Sequence, residues 1–123
     1  MDNSNLYSKE LLHYYKNPEH KGKLEDKNCS SKESNLSCGD SLTIEMKIEN
    51  AVVKDAKYNG VGCIVSMASA EILCDFIIGK NISECKTITS DSYLKLMGFE
   101  LSPSRTKCAL IGYKAFVSAI NKF

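Results

Sequence analysis

Leu42, Ile44, Met46 and Ile48 alternate with Thr43, Glu45, Lys47 and Glu49, a period of two that predicts a strand with one buried face. Asn50 marks a turn, and residues 52–60 follow as a partner strand with Ala56 and Tyr58 on one side. The two form an antiparallel hairpin, with a short edge strand expected from the polar stretch before it. Further upstream, a helix is predicted over residues 5–15. Asn3, Ser4 and Asn5 offer capping oxygens, while Leu6, Leu11, Leu12 and Tyr15 supply the apolar positions. Asn17-Pro18 ends that helix, because proline disfavours helical geometry in the residue before it. Residues 19–37 are rich in Lys, Gly, Asn, Ser and Glu and read as loop.

After Gly60-Val61-Gly62-Cys63 a second helix is predicted, running to about residue 78 and ended by Gly79. Its apolar side chains surround nearly the whole axis, with Glu71 and Asp75 as a narrow charged strip, so it should be mostly buried. Short helices are expected near residues 82–85 and 90–97. A last helix over about 105–121 places Ala109, Tyr113, Phe116, Ile120 and Phe123 on one stripe. The order is helix, hairpin, then helices. It predicts an α+β domain over residues 1–123, with helices packed on a small three-stranded antiparallel sheet.

Charge narrows the function classes. Lys and Arg number 16 against 15 Asp and Glu, a net charge of +1, which argues against a nucleic-acid binder working by phosphate neutralisation. The longest nearly apolar stretch, residues 64–78, is interrupted by Ser66, Ser69, Glu71 and Asp75. It is also too short for the roughly 20 apolar residues of a membrane span. Residues 1–5 are mostly polar and lack the pattern of a secretory signal, so the expected location is the reducing cytoplasm, where thiols stay free.

Six cysteines stand at positions 29, 38, 63, 74, 85 and 108, with no pair at C-x-x-C spacing. That pattern weakens both zinc-finger and thioredoxin-like readings. Cys74 and Cys85 read as packing residues inside helices, and Cys29 as a spare thiol in a polar loop. Cys38, Cys63 and Cys108 have more unusual settings. Cys63 and Cys108 are predicted at helix N-termini, where unpaired amides favour a thiolate, and Lys107 would act in the same direction. Asp40 follows Cys38 by two residues, so in an extended segment both would face one side. Three thiolates with one carboxylate suit tetrahedral Zn²⁺ or the irons of an iron–sulfur cluster. The carboxylate is the poorer match, which makes the site labile. Spacing alone leaves open whether these four are ligands or, for the thiols, packing. His13 and His20 have no other ligand near them in sequence and read as surface or capping residues.

The ordered motifs resemble those of the NifU/IscU-type iron–sulfur cluster assembly scaffolds, including SufU-like zinc-dependent sulfur acceptors. Tyr14-Tyr15-Lys16-Asn17-Pro18 with Gly22 resembles the family's N-terminal segment. Cys38-Gly39-Asp40, then Gly60-Val61-Gly62-Cys63 with Ser66 and Ala68-Ser69-Ala70, and finally Lys107-Cys108-Ala109 match its three ligand motifs. The resemblance implies a three-stranded sheet with helices. It also implies a persulfide delivered by a cysteine desulfurase to Cys108 or Cys38, supported by Lys107. A transient [2Fe–2S] cluster on Cys38, Cys63 and Cys108 would then pass to apo iron–sulfur acceptor proteins. It implies Asp40 at the position associated with easy release, and Zn²⁺ as an alternative occupant.

Two departures matter. Lys107 replaces the histidine many IscU-type scaffolds carry, as in SufU-like members, which makes Asp40 the fourth ligand. Yet the insertion that SufU-like proteins carry between the second and third cysteines is absent. Residues 101–107 also depart from the Leu-Pro-Pro-Val-Lys segment read by a dedicated chaperone in IscU, removing the motif on which that contact rests. Other classes to weigh are a zinc-dependent sulfurtransferase, a structural zinc module, and a cysteine hydrolase using Cys108, which would need a histidine base within reach.

Overall fold

The computed structural model describes residues 9–37, 39–97 and 101–123. Its elements run α1 (Lys9–Lys16), β1 (Cys29–Asn35), β2 (Asp40–Glu49), β3 (Val52–Val61), α2 (Ile64–Ile77), α3 (Ile82–Lys86), α4 (Ser90–Lys95) and α5 (Pro103–Ile120). The strands form one antiparallel sheet in the order β1-β2-β3, so the edge strand expected from the polar stretch is present. Asn50 and Ala51, at φ 53° and 60°, make the two-residue connection between β2 and β3. Left-handed residues at both positions match the twist of the flanking strands.

The core follows from the predicted periodicity. Leu42, Ile44, Met46 and Ile48 are buried along β2, and Ala56 and Tyr58 along β3. Over them lie α5, which packs on β1, β2 and α2, and α2, which packs on β3 and α1. The two long helices pack closely at Gly112, where even a Cβ would be in ordinary contact with Ala70, 3.5 Å from its Cβ. Cys74 and Cys85 are buried, as expected of packing residues.

Several expectations are corrected. The stretch read as loop is a strap that hydrogen-bonds across the sheet. The His20 carbonyl accepts from Tyr58 N–H at 3.0 Å, and Gly22 N–H donates to the Tyr58 carbonyl at 2.8 Å. Asn28 exchanges two 2.8 Å bonds with the Ile48 backbone. Two acids read as solvent-facing are the anchors of this strap. Glu71, only 1% exposed, accepts the His20 N–H at 2.9 Å. Glu45 accepts the Leu24 N–H at 2.7 Å and lies 3.7 Å from Lys27 Nζ. Each carboxylate is buried because it satisfies a main-chain donor that the strap would otherwise leave unpaired.

His20 is therefore not a free surface residue. Its Nε2 lies 3.3 Å from Asp75 Oδ1 and 3.8 Å from Glu71 Oε2. Cys29 is no spare loop thiol either: it opens β1, is buried, and its Sγ donates to the Ala119 carbonyl at 3.2 Å. Tyr15 and Phe123, expected on apolar stripes, are exposed. In α1 the inward aromatic is Tyr14; the α1 capping residues proposed above and Leu6 lie outside the described residues.

The last correction bears on the site. Helix α5 begins at Pro103, two residues earlier than predicted. Ser102 caps it by accepting the Arg105 N–H at 3.3 Å, and proline at the first helical position sacrifices no hydrogen bond. Cys108 consequently sits in the second turn rather than at the N-terminus.

Candidate metal centre

Three predicted ligands converge where β2 starts and α2 and α5 run side by side. Asp40 is the first residue of β2, Cys63 is the N-cap of α2, and Cys108 lies on α5. Their ligating atoms all fall within 4.8 Å of one another. Asp40 is buried while both thiols are half-buried. Cys38 lies outside the described residues. The expectation that residues 38–40 are extended is corrected at Gly39, whose φ of 76° is left-handed, and whose N–H closes a turn onto the Asn35 carbonyl at 2.9 Å.

Glycines make the convergence possible. At Gly60, φ is 141° and a Cβ would fall onto the Ser41 carbonyl oxygen; only glycine lets β3 pass this close to β2. At Gly62 a Cβ would come 2.8 Å from the Ser66 Cβ and 3.5 Å from Asp40 Oδ2. Side chains at these positions would push Cys63 away from Asp40.

Ser66 stands in the sequence only as part of a motif, and the structure places it against two of the candidate ligands, Asp40 and Cys63. It is fully buried. Its hydroxyl donates to Asp40 Oδ2 at 2.7 Å and lies 3.5 Å from Cys63 Sγ. The Cys63 N–H also points to Asp40 Oδ2, at 3.4 Å. A serine one turn after the N-cap cysteine, on a helix whose neighbours are apolar, was the available signal.

The two thiols differ sharply without metal. Burial works against ionisation of Cys63, but hydrogen bonds from the backbone N–H groups of Ser66 and Val65 and from the Cys108 thiol bring it below the ordinary cysteine range. Cys108 is pushed up to about 11 by burial, by its hydrogen bond to Cys63 and by the charge of Cys63, with Asp40 adding to the repulsion. The expected easy ionisation of Cys108 is thus corrected. A helix dipole acts mainly within the first turn, and Cys108 is beyond it. Lys107 is exposed and lines a surface groove with Glu33, Leu36, Ile111 and Lys114.

The donor set fits a thiophilic ion. A tetrahedral ion with bonds of about 2.3 Å to sulfur and 2.0 Å to oxygen spaces its ligand atoms roughly 3.5–3.8 Å apart, compatible with atoms that lie within 4.8 Å of one another. Soft thiolates select zinc or cluster iron over magnesium or calcium. The hydrolase reading loses its base: His20 is held at Asp75, about 18 Å along α2 from Cys63 at 1.5 Å per residue, and His13 is exposed on α1.

Comparison with known proteins agrees with this geometry. Residues 6–123 match the NifU-like N terminal domain family. The chain is 31% identical to the iron-sulfur cluster assembly scaffold protein IscU of Thermotoga maritima, over 95% of this chain and 94% of that one. It is 32% identical to the zinc-dependent sulfurtransferase SufU of Bacillus subtilis, over 95% and 90%. Among solved structures, one described as a candidate iron-sulfur cluster assembly scaffold for the SUF system, from Fervidobacterium islandicum AW-1, superposes with a TM-score of 0.79. Its sequence is 27% identical, and the match covers 97% of this chain and 99% of that chain. The α+β architecture expected from the sequence is the architecture of these relatives.

Proposed function

The chain belongs to the NifU-like N-terminal domain family, and from that premise we propose that it is an iron–sulfur cluster assembly scaffold rather than a self-sufficient enzyme. The observation that carries this reading is the convergence of Asp40, Cys63 and Cys108 within 4.8 Å. Cys38, two residues along the chain from Asp40, is the third thiolate of the set. Zinc, when bound, would hold the thiols deprotonated and exchangeable.

The sulfur donor is a cysteine desulfurase carrying a persulfide. A scaffold thiolate, from Cys108 or Cys38, attacks the terminal sulfur. The S–S bond of the donor breaks, its cysteine leaves as thiolate, and a persulfide forms on the scaffold. The half-buried setting of Cys63 and Cys108 keeps the thiols close to solvent and to a docking donor. Lys107, on the groove beside the site, is a charge offered to a partner. An external two-electron donor, a reduced electron-transfer protein or an excess of thiol, then cleaves the persulfide and releases its outer sulfur as sulfide, leaving the scaffold cysteine as thiolate. Iron and that sulfide held on Cys38, Cys63 and Cys108 would be cargo, and an incoming acceptor displaces the carboxylate more easily than a thiolate. None of the described helices is long and apolar enough to cross a membrane, and the cytoplasm is the proposed location.

A second reading, a zinc-dependent sulfurtransferase, is favoured by the 32% identity to the Bacillus subtilis protein and by lysine before the third cysteine. Anaerobic reconstitution with a cysteine desulfurase, cysteine and ferrous iron separates the two. The scaffold reading expects visible charge-transfer bands and transfer of the cluster to an apo-ferredoxin. Desulfurase stimulation that requires zinc, with no cluster formed, would replace it by the second reading.

A further inference from the structure

We propose that Ser66 is the positioning residue that sets how Asp40 meets the metal, committing one carboxylate oxygen so that the other alone is presented as ligand. This rests on the metal-site reading above.

The argument starts from what a buried helical serine ordinarily does. It back-bonds to a carbonyl one turn earlier, and Ser69 on the same helix does so, donating to the Val65 carbonyl at 2.6 Å with the Ser66 carbonyl at 3.1 Å. Ser66 departs from that pattern. Its single proton goes off the helix to Asp40 Oδ2 at 2.7 Å, the short range of a charge-assisted bond. The Cys63 N–H, at 3.4 Å, converges on the same oxygen. Both donors therefore load Oδ2, and Oδ1 is the oxygen they leave uncommitted.

Close packing enforces the arrangement. The 2.8 Å separation between Ser66 Cβ and a hypothetical Cβ at 62 means that glycine there and serine at 66 form one fitted unit against Asp40. A carboxylate pinned in this way binds through one oxygen, does not chelate, and gives way readily to a competing thiolate. Outer-shell hydrogen bonds of this kind commonly govern metal affinity by about 10–100-fold.

The test is a double-mutant cycle on the full chain. Zinc affinity is measured by competition with a chromophoric chelator, and the ligand-field bands of the Co²⁺-loaded protein are recorded alongside. Ser66→Ala is expected to weaken zinc binding by about 10-fold or more and to move the Co²⁺ bands toward those of Asp40→Ala. Ser66→Thr, which keeps the hydroxyl, restores both. In the Asp40→Ala background, Ser66→Ala adds nothing, because the residue acts through the carboxylate. Parental affinity in Ser66→Ala, or the same loss with and without Asp40, would overturn the inference while leaving the site intact. Failure of the parent chain to bind zinc or cobalt would instead overturn the underlying site.

Discussion

Cys63→Ser is expected to lose zinc and cluster retention almost completely, weakening metal affinity by more than about 100-fold. Losing a hydrogen bond to a ligand already costs about 10–100-fold, and this substitution removes a proposed ligand itself. The geometry gives the site no replacement. Cys63 is fixed as the N-cap of α2 between Gly62, which admits no side chain, and Ser66, which is packed against Asp40. The other cysteines cannot move in: Cys74 and Cys85 are buried in the core, and Cys29 is tied to the Ala119 carbonyl. Cys74→Ala is the matched control, expected to lower unfolding stability by about 1–2 kcal/mol with unchanged metal stoichiometry. Metal analysis after anaerobic purification checks both. Unchanged metal content in Cys63→Ser would count directly against the site.

The second large effect concerns order of ionisation in metal-free protein. Thiolate is the reactive form, so iodoacetamide should modify Cys63 first. With Cys108 raised to about 11, its thiolate fraction at neutral pH is far below that of an ordinary cysteine. As pH rises, Cys63 reactivity therefore levels off first, and Cys108 continues to gain beyond pH 9. Capping Cys63 as a neutral thioether removes its negative charge and should bring the Cys108 profile down. Zinc should protect both thiols, and its affinity should climb with pH because binding displaces thiol protons. Mass-spectrometric mapping of rates across pH decides the matter. Equal rates at Cys63 and Cys108, or Cys108 reacting first, would show that the two do not share a proton as described.

The pattern that set the fold was local and strong. The period of two through Leu42, Ile44, Met46 and Ile48, and the all-round apolar α2, depend on spacing that a linear reading captures. What the sequence hid were contacts across long separations. Glu45 and Glu71 look like surface acids until Leu24 and His20, 21 and 51 residues away, donate their amides to them. The Ser102 cap and Pro103 were visible, yet the apolar stripe drew the predicted start of α5 inward. That shift takes Cys108 out of the first turn, and burial with the neighbouring Cys63 then pushes its thiol up.

At the site, the grouping of Asp40, Cys63 and Cys108 was legible through the three ordered motifs and their resemblance to a known family, since spacing alone left it open. Ser66 was less so: its role depends on a hydroxyl that chooses Asp40 over its own helix, which no spacing rule encodes. Lys107 shows the converse. Its place beside Cys108 in sequence suggested an effect on the thiol, but successive helical residues point about 100° apart, and its side chain faces the groove instead.

X-ray absorption at the zinc edge of the zinc-loaded protein tests the central assignment most directly. Cys38, Asp40, Cys63 and Cys108 acting together predict three sulfur neighbours at about 2.3 Å and one oxygen at about 2.0 Å, falling to two sulfurs in Cys38→Ser. A shell of oxygen and nitrogen alone, or one unchanged by that substitution, would contradict it.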